Sequence, residues 1–304
     1  MSGRCRGVGS VGSVTTPASL AWSRERDRLV GIAYRMLGDF GAAEDVVSDV
    51  AVEALRVEAS DSSASAVRSW EAWLTTVCVR RSIDRLRQVQ AMREDYPGPW
   101  LPEPVATDRL PEDVAAGREM LSIAVLHLAE QLEPDTRAAI VLHRAFGMSS
   151  TEIASVLERS PAAVRQLISR GEKRLHGTEE RPSRAAVSAV VERLVHAVES
   201  GDVGAVATLL TDDAVLWADG GGIVKSARNP IFGPVRIARF FAGVMQKIHA
   251  RGDRVVAAVV DVNGEVALSL TGPGAPDVIA FELREGRVCG VRRVSNPEKL
   301  TRVW

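Results

Sequence analysis

Residues 149–176 (SSTEIASVLERSPAAVRQLISRGEKRLH) constrain the fold most, because they predict two short helices joined by a tight turn. Ser149 and Glu152 have the spacing of a capping box, which favours a helix start at this point. Ser160 and Pro161 favour a second start, since serine caps free N–H groups and proline is well tolerated at the first helical position. The outer face of the second helix is polar or basic: Arg165, Gln166, Ser169, Arg170, Lys173 and Arg174. This pattern is typical of a helix-turn-helix, which places its second helix in the major groove of DNA.

A helical hairpin without DNA-binding activity would share the two amphipathic helices, so the charge pattern has to distinguish the two interpretations. Between Arg159 and Arg174 the segment carries five lysines and arginines and one acid, Glu172. Contacts to phosphate require such an excess of positive charge, and arginine or glutamine near the start of a recognition helix also reaches base edges. The segment is therefore interpreted as a DNA-reading element.

The composition of the whole chain limits the alternatives. A chain of 304 residues is long enough for two or three domains, and a formal net charge of −1 excludes a protein that coats DNA through its overall charge. Its three cysteines, Cys5, Cys78 and Cys289, are far apart, which favours a reducing compartment without a disulfide framework. No segment resembles a signal peptide or a membrane span. We expect a cytoplasmic protein that binds nucleic acid through local patches.

The N-terminal block is predicted to be entirely helical, with opposite charges on its second and third helices. Residues 39–61 contain seven acids and one base, whereas residues 80–93 contain five arginines and one acid. Each run alone is typical of a solvated helix face. Together they indicate a module with two partners, one a basic protein surface and the other nucleic acid. Trp70 and Trp73, at the start of the basic helix, either stack on unpaired bases or belong to the core, and Trp73 in particular is expected to be largely core.

Two further segments complete the chain. The stretch PGPWLPEPVATDRLPEDVAAG has five prolines, which favour an extended backbone and exclude a continuous helix, so we expect a linker here. From about residue 184, two predicted helices precede strand-like runs that are separated by the turns VNGE and REGR. This order predicts an α+β domain with a curled antiparallel sheet.

The predicted fold class is multidomain, with two all-α modules followed by an α+β domain. The expected units are a flexible tail over 1–19, a helical module over 20–96, a proline-rich linker over 97–117, a helix-turn-helix module over 118–176, a hinge over 177–183 and an α+β domain over 184–304.

The order of these units resembles that of bacterial sigma factors of the extracytoplasmic-function (ECF) group. Their promoter-melting region 2 is similar to LVGIAYRMLGDFGAAEDVVSDVAVEAL, and their helix that reads the −10 promoter element is similar to WEAWLTTVCVRRSIDRLR. Their region 4, which reads the −35 element, is similar to LEPDTRAAIVLHRAFGMSSTEIASVLERSPAAVRQLISRGEKRL. A subgroup with a fused C-terminal domain is similar in the strings YPGPWLPEPV, DGGG and NPEKL, and that domain resembles the cone-shaped SnoaL/NTF2-like fold of polyketide cyclases and ketosteroid isomerases.

Two positions depart from the family pattern. In the family the string Asp-Gly-Gly-Gly is followed directly by lysine, whereas here Ile223 intervenes and the nearest lysine is Lys225. The glutamine and large aromatic residue that usually follow Glu44–Asp45 are also absent, with Ser48 and Val52 near those positions. We therefore expect an altered lysine contact and a weaker polymerase-binding surface.

The resemblance implies a protein that is not an enzyme and needs no cofactor. Such a protein binds core RNA polymerase, directs it to promoter DNA and helps to open the duplex. The resemblance places polymerase binding on Glu44, Asp45 and Asp49, and a pocket for a flipped base in the loop of residues 59–69. Contacts to the −10 element are expected from Trp70, Trp73, Arg80, Arg81, Asp84 and Arg85. Contacts to the −35 element are expected from the six outer residues of the helix-turn-helix.

The C-terminal domain is expected to regulate the sigma regions through intramolecular contact. The expected contact loop is Asp219, Gly220, Gly221, Gly222 and Lys225. Lys299 and Trp304 either pack back onto the linker or lie in a solvated tail. A small-molecule ligand is a second possible role of this domain. Acid–base chemistry would need a matched pair, and the candidates Asp213, Asp219 and His249, with Trp217 as a wall, do not have such spacing.

Two other functions stay open at this point. A ligand-responsive regulator would need only the helix-turn-helix, so the two charged helices and the proline-rich linker argue against it. An enzyme fused to a DNA-binding module would need a catalytic pair that the sequence does not supply. No metal site is expected, because the five histidines are scattered without the spacing of metal ligands: His127, His143, His176, His196 and His249.

Overall fold

A computed structural model describes residues 16–60, 67–93, 95–115, 120–175, 183–272 and 276–304. As far as residue 175 the named elements of the described chain are all helices, and an α+β domain follows from residue 183. No helix within these ranges is long and apolar enough to cross a membrane.

The first helical module consists of three long helices, α1 (Pro17–Leu37), α2 (Phe40–Glu58) and α3 (Trp70–Arg93). Thr16 and Ser19 form a capping box at the start of α1, and the Ala18 N–H donates a 2.9 Å hydrogen bond to Glu58 at the end of α2. Residues 17–19 are therefore helical, which corrects the flexible tail expected over 1–19; residues 1–15 lie outside the described ranges. Gly38 ends α1 with a φ of 68°.

The proline-rich stretch is less uniform than expected. Its first half has no regular secondary structure, but a 3-10 turn at Thr107–Arg109 and a short helix, α4 (Glu112–Ala115), follow. The correction has a simple cause: the prolines are concentrated before residue 105, and Pro111 directly precedes α4, where proline does not oppose a helix. Residues 101–106 are all buried, so this linker is packed against the rest of the molecule.

The helix-turn-helix module contains α5 (Ile123–Ala129), α6 (Pro134–Phe146), α7 (Ser150–Leu157) and α8 (Pro161–Leu175). Both predicted helix starts are confirmed, because Ser149 and Glu152 form a capping box and the Ala163 N–H donates to Ser160 Oγ at 3.2 Å. Between the two helices Glu158 adopts the left-handed conformation. Gly171 lets α8 approach α6, since a Cβ there would lie 3.1 Å from the Ile140 side chain.

A single hydrophobic core joins the first helical module to the helix-turn-helix module. Buried residues of α1, α3, α6, α7 and α8 contact one another in this core, and examples are Leu29, Leu74, Leu142, Ile153 and Val164. The two modules are therefore packed together and not held apart by the linker.

The C-terminal domain begins with α9 (Arg184–Glu199) and α10 (Val203–Thr208). Its remaining elements are β1 (Leu210–Asp219), β2 (Ile231–Phe232), α11 (Pro234–Arg251), β3 (Val256–Val262), β4 (Glu265–Thr271), β5 (Asp277–Arg284), β6 (Arg287–Val294) and a 3-10 turn at Pro297–Lys299. The six strands form one sheet in the order β2-β1-β6-β5-β4-β3. Of the hinge expected over 177–183, residues 177–182 lie outside the described ranges, and Ser183 caps α9.

Two features of this domain differ from the expectation. The sheet is mixed and not purely antiparallel, because β1 pairs with β6 in parallel. The helix α11 was not expected, and it explains the parallel pair: it carries the chain from β2, the edge strand beside β1, to β3 at the opposite edge, from which β3 to β6 meander back. Pro234 at its first turn and Gly252 after its last turn are ordinary start and stop signals for this helix.

The two faces of the sheet pack against different partners. Ile279 and Phe281 of β5 face α9 and α11 in the core of the domain. The alternate residue Val278 faces the other way, in a cluster with Leu101 of the linker and Ile123 of α5. The sheet is therefore a wall between the interior of the C-terminal domain and the helical part of the molecule.

Candidate functional site

The outer face of α8 presents the side chains expected at the −35 element. Five of the six line one shallow groove on the protein surface: Arg165, Gln166, Ser169, Arg170 and Lys173. The sixth, Arg174, is also exposed, but its Nη2 donates a 3.0 Å hydrogen bond to Gln131. Guanidinium, ammonium and amide groups in this arrangement suit contacts to phosphates and base edges.

The residues expected at the −10 element lie on α3, where acids from other helices already contact the arginines. Arg80 Nη2 lies 2.6 Å from Glu158 Oε1, at the turn of the helix-turn-helix. Arg81 is paired with Glu53 of α2 and lies 3.8 Å from Asp49. Asp84 and Arg85 are exposed, as is Arg87, which lies 3.3 Å from Asp84 and from Asp135 of α6. The basic face of α3 is thus largely neutralised.

Trp70 and Trp73 pack edge to face, with ring centroids 5.6 Å apart. Both rings are half-buried against the helical core, so each keeps an exposed part. Trp73, which was expected to be largely a core residue, is therefore only partly buried. Residues 61–66 of the expected base-flipping loop lie outside the described ranges.

The acids expected to bind polymerase lie on α2, and the end of the chain contacts one of them. Arg302 Nη2 donates a 2.7 Å hydrogen bond to Glu44 Oε2, and its guanidinium lies 5.0 Å from the centroid of the Phe40 ring. Asp45 and Asp49 remain exposed. The third residue from the end of the sequence thus reaches the acidic face of the first helical module.

Asp219, at the end of β1, is the centre of the contact between the C-terminal domain and the linker. Its Oδ1 accepts a 2.6 Å hydrogen bond from the Tyr96 hydroxyl, and its Oδ2 accepts a 2.9 Å bond from the Leu101 N–H. Lys299 Nζ donates to the same Oδ2 at 2.7 Å and to the Leu101 carbonyl at 2.6 Å. Burial lowers the pKa of Lys299 to about 8, although the Asp219 carboxylate opposes this shift. One buried ion pair therefore fastens the linker.

The same linker also contacts the turn between α1 and α2. The Trp100 ring lies between two cations, with the Arg93 guanidinium 3.3 Å and Lys299 Nζ 4.0 Å from its centroid. A Cβ on Gly38 would lie 2.8 Å from this ring, so glycine is needed there for space as well as for its backbone conformation. The Phe40 N–H donates to Glu103 Oε2 at 2.6 Å. The linker is thus held between the first helical module and the C-terminal domain.

The glycines that follow Asp219 permit close approach. A Cβ on Gly220 would overlap the Val224 carbonyl, one on Gly221 would overlap the Asn296 amide, and one on Gly222 would lie 2.8 Å from Pro97 Cγ. Lys225 is exposed and belongs to none of the ion pairs found among the described residues. The cation at Asp219 is Lys299, in the string NPEKL.

The turn between β3 and β4 makes a second contact. Asn263 Nδ2 donates to the Tyr34 hydroxyl of α1 at 2.6 Å and to the Leu121 carbonyl at 2.9 Å. Its Oδ1 accepts from the Val105 N–H at 2.9 Å. Asn263 adopts a φ of 56° and is fully buried. A single amide group therefore ties the C-terminal domain to α1, to the linker and to the segment before α5.

A third contact joins α5 to β6. His127 packs edge to face on Trp217, with ring centroids 5.3 Å apart, and its Nδ1 accepts a 3.3 Å hydrogen bond from Arg292 Nε. Burial, and then the positive charges of Arg292 and Lys299, lower the pKa of His127 to about 3. This histidine is therefore neutral at physiological pH.

The candidates for acid–base chemistry, Asp213, Asp219 and His249, lie in separate surroundings and do not form one site. Asp213 is exposed and paired with Arg284, which lowers the pKa of the Asp213 carboxyl to about 2. Asp219 lies in the linker contact, and His249 is exposed in the last turn of α11. Among the residues that the structure describes, no three or more His, Cys, Asp or Glu side chains are placed to hold a metal ion.

Four contact residues were not singled out from the sequence as intramolecular contacts: Tyr96, Asn263, Arg292 and Arg302. The Asn-Gly pair of VNGE did predict a hairpin turn, but its role in contacting α1 has no local signal. Tyr96 stands directly before the proline-rich string, which is the only sequence cue to its role.

Comparison with known proteins agrees with this arrangement. The family model "Sigma-70 region 2" matches residues 21–92, and "Sigma-70, region 4" matches residues 122–175. The ECF RNA polymerase sigma factor SigJ of Mycobacterium tuberculosis is 36% identical over 292 residues, which cover 91% of each chain. The probable ECF sigma factor SigI of the same species is 29% identical over 192 residues, covering 62% of this chain and 64% of SigI.

The whole architecture is also similar to a solved structure. The crystal structure of M. tuberculosis SigJ superimposes with a TM-score of 0.73 and 32% identity, covering 92% of this chain and 97% of that one. The expected fold class, two helical sigma modules followed by an α+β domain, is confirmed. On this evidence the chain belongs to the family of extracytoplasmic-function RNA polymerase sigma factors.

Proposed function

We propose that this promoter-directing sigma factor is held closed by its own C-terminal domain and reads a promoter only after regions 2 and 4 separate. The observation that carries the proposal is the contact of Arg302 with Glu44, on the surface expected to bind polymerase. Region 2 here means α1–α3 and region 4 means α5–α8. In this role the protein acts with core polymerase in the cytoplasm, without catalysis and without a cofactor.

The size of a promoter supports an opening step. The −10 and −35 elements lie about 25 base pairs apart, which is about 85 Å of B-DNA at about 3.4 Å per base pair. Arg80 of the −10 helix lies only 2.6 Å from Glu158, at the turn of the −35 reader. The two readers cannot reach both elements while this contact persists, so the regions have to move apart.

The charges between the two regions support the same step. Arg80 and Arg87 of α3 are paired with Glu158 and Asp135 of region 4. Glu130, directly after α5, is paired with Arg93 of α3 and with an arginine of α6. Phosphates of promoter DNA would compete for the exposed arginines, so closure and −10 binding exclude each other.

The C-terminal domain favours the closed state because it holds the linker in a compact path. Lys299 and Asp219 fasten the linker at Leu101, and Asn263 fastens it at Val105. A linker bound at both points is kept in this compact path, which opposes separation of the regions. Release of these contacts is therefore the step that regulation has to control.

In the open state each set of exposed residues has a proposed target. Arg165, Gln166 and Ser169 contact base edges of the −35 element, whereas Arg170, Lys173 and Arg174 contact phosphates. The −10 element is contacted by Trp70, Trp73, Arg80, Arg81, Asp84 and Arg85. Core polymerase is contacted by Glu44, Asp45 and Asp49.

In vitro transcription tests both parts of the proposal. Core polymerase with fragmented genomic DNA of the source organism should yield discrete transcripts only when this protein is present. The variant Asn263→Gly keeps the left-handed turn but removes the amide contacts, so it should increase those transcripts. Glu285→Gly is the matched control, because Glu285 has a φ of 51° in the exposed β5–β6 turn.

The outcomes separate the two parts. Absence of specific transcripts with every variant contradicts sigma activity itself. Specific transcripts that do not increase with Asn263→Gly contradict the inhibitory role of the C-terminal domain. A chain ending after Leu175, which retains the shared helical core of regions 2 and 4, should behave like Asn263→Gly.

A further inference from the structure

The outer surface of α11 is basic, and neither the helix nor the segment before it contains an acid. Between Asp219 and Asp253 the chain has six lysines and arginines and no aspartate or glutamate. The whole chain, by contrast, carries 39 acids and 38 lysines and arginines. Four of the six cations lie on α11 itself, and we call them the α11 stripe: Arg236, Arg239, Lys247 and Arg251.

The α11 stripe occupies one side of the helix. At about 100° per residue its four members fall within about 120° of the circumference, and at about 1.5 Å per residue they extend over about 22 Å of the helix axis. Ile237, Ala238 and Phe241 are buried on the opposite side, in the core of the C-terminal domain. All four cations are exposed, and none forms an ion pair or a side-chain hydrogen bond within the described chain.

This surface is accessible in the closed state as well. The helix α11 packs on the sheet face that lies opposite to the linker and α5, so the sigma regions do not cover the stripe. The arginines of the −10 helix differ in this respect, because Arg80 and Arg81 are paired with acids of other helices. A polyanion can therefore reach α11 without any rearrangement of the protein.

Charge and covalent position favour duplex DNA as the partner of this surface. Duplex DNA carries one negative charge per about 1.7 Å of its axis, so a row of cations about 22 Å long meets several phosphates at once. Seven residues separate Leu175, at the end of α8, from Ser183. Such a connection spans at most about 29 Å, at about 3.6 Å per residue. When α8 lies in the major groove, α11 is therefore held near the same duplex at a high local concentration.

We propose that α11 is a further DNA-binding surface, which contacts phosphates of the duplex beside the −35 element. Contacts of arginine and lysine to phosphate add affinity but carry no sequence information directly. The location beside the −35 element rests on the proposed function, because it depends on the role of α8. Binding of DNA by α11 does not depend on that role, so the test uses DNA without a chosen promoter.

The salt dependence of binding measures phosphate contacts directly. The full-length protein is titrated into a fluorescent duplex of randomised sequence, and anisotropy gives the binding constant between about 50 and 200 mM NaCl. Each contact adds about 0.9 to the slope of the logarithm of the binding constant against the logarithm of the salt concentration. Replacement of all four stripe residues by glutamine should therefore make the slope shallower by about 2–4. Glutamine is a good helix former, so these exposed positions should tolerate it.

A control variant loses the same charge from the same domain, but outside α11. It combines four exposed positions: Arg184→Gln, Arg193→Gln, Arg284→Gln and Arg287→Gln. This variant should keep the slope of the wild type. An α11 variant with the same slope as the control overturns the proposal, since the basic surface would then serve an acidic protein or only solvent.

A variant of α8 separates this proposal from the proposed function. Arg170→Gln combined with Lys173→Gln should lower the slope by about 1.8, and the α11 substitutions should lower it further by the same amount as in the wild type. If only the α11 variant changes the slope, the proposal is supported and the role of α8 in phosphate contact is contradicted. If the α11 substitutions have no effect in the α8 background, the two helices do not bind DNA independently, which overturns the proposal.

Discussion

Lys299 Nζ lies 2.7 Å from Asp219 Oδ2 and 2.6 Å from the Leu101 carbonyl oxygen. One ammonium group thus joins the string NPEKL, the string DGGG and the proline-rich linker, three segments that are far apart in the sequence. The family pattern provides a lysine directly after the glycines, but here Lys225 is exposed and Lys299 makes the contact.

Asp219→Asn should destabilise the protein strongly. The substitution leaves Lys299 buried without its counter-ion, and loss of one partner of a buried pair typically costs about 3–5 kcal/mol. The free energy of unfolding, from urea titration followed by circular dichroism, measures the effect. Asp213→Asn is the control, since its partner Arg284 is exposed and the pair should contribute little. Equal loss of unfolding free energy in the two variants would show that the buried linker contact stabilises the protein no more than an exposed ion pair does.

Gly221→Ala should destabilise more than Gly201→Ala. Both glycines have a positive φ, 61° and 69°, so the backbone strain of alanine is similar at the two positions. At Gly201 nothing lies within 4 Å of the new Cβ, whereas at Gly221 it would overlap the amide of Asn296, which bonds the Tyr96 hydroxyl at 3.2 Å. The measurement is the difference in the urea midpoint, together with the rate of proteolysis within the linker. Matching midpoints and matching cleavage would contradict close packing at this loop.

Acid should weaken the contact between α5 and β6 through His127. Its pKa is about 3 in the folded protein and 6.5 in the unfolded chain, so the unfolded chain binds the additional proton between these values. The stability that neutral His127 contributes is therefore present above pH 6.5 and is lost as the pH falls towards 3. One proton accounts for at most about 1.4 kcal/mol per pH unit.

His127→Gln should reduce this pH dependence, because glutamine does not titrate. The charged groups that face His127 are Arg292 and Lys299, and the His127→Gln variant retains both of them. The free energy of unfolding is compared between pH 4 and pH 7 for wild type, His127→Gln and His196→Gln, whose histidine is exposed on α9. The same slope in all three proteins would rule out His127 as a source of acid sensitivity.

Arg165→Ala should weaken binding to the −35 element by about 1–3 kcal/mol and relax discrimination at one base pair. Arg165 is exposed in the first half of α8 and lines the same groove as Gln166 and Ser169. Fluorescence anisotropy with duplexes that vary at each −35 position measures the change. Arg239→Ala, at an exposed arginine of α11, should leave discrimination at every −35 position unchanged. Unaltered specificity in Arg165→Ala would remove this residue from base readout.

Local sequence signals predicted the elements whose start or turn is set by a few neighbouring residues. The capping box at Ser149, Pro161 at a helix start and the Asn-Gly turn gave correct positions for α7, α8 and the β3–β4 hairpin. The helix α3 begins at Trp70, where the sequence indicated the start of the basic helix. The helix α11 was overlooked although its start and stop signals are ordinary.

Tertiary relationships could not be predicted in the same way. Nothing near Arg302 in the sequence indicates Glu44 as its partner, and nothing near Asn263 indicates Tyr34. The parallel pairing of β1 with β6 depends on the path of α11 and not on either strand. The shared core of regions 2 and 4 likewise depends on how whole helices pack, so the sequence alone suggested modules separated by a linker.

The affinity for core RNA polymerase tests the closed state most directly and needs no promoter. Arg302→Ala removes the C-terminal contact with Glu44, a partly exposed pair worth about 1 kcal/mol or less, so core polymerase should bind up to about fivefold more tightly. Arg284→Ala, which removes an exposed arginine paired within the C-terminal domain, should bind like wild type. Weaker or unchanged binding by Arg302→Ala would contradict the proposal that the C-terminal domain competes with core polymerase for Glu44.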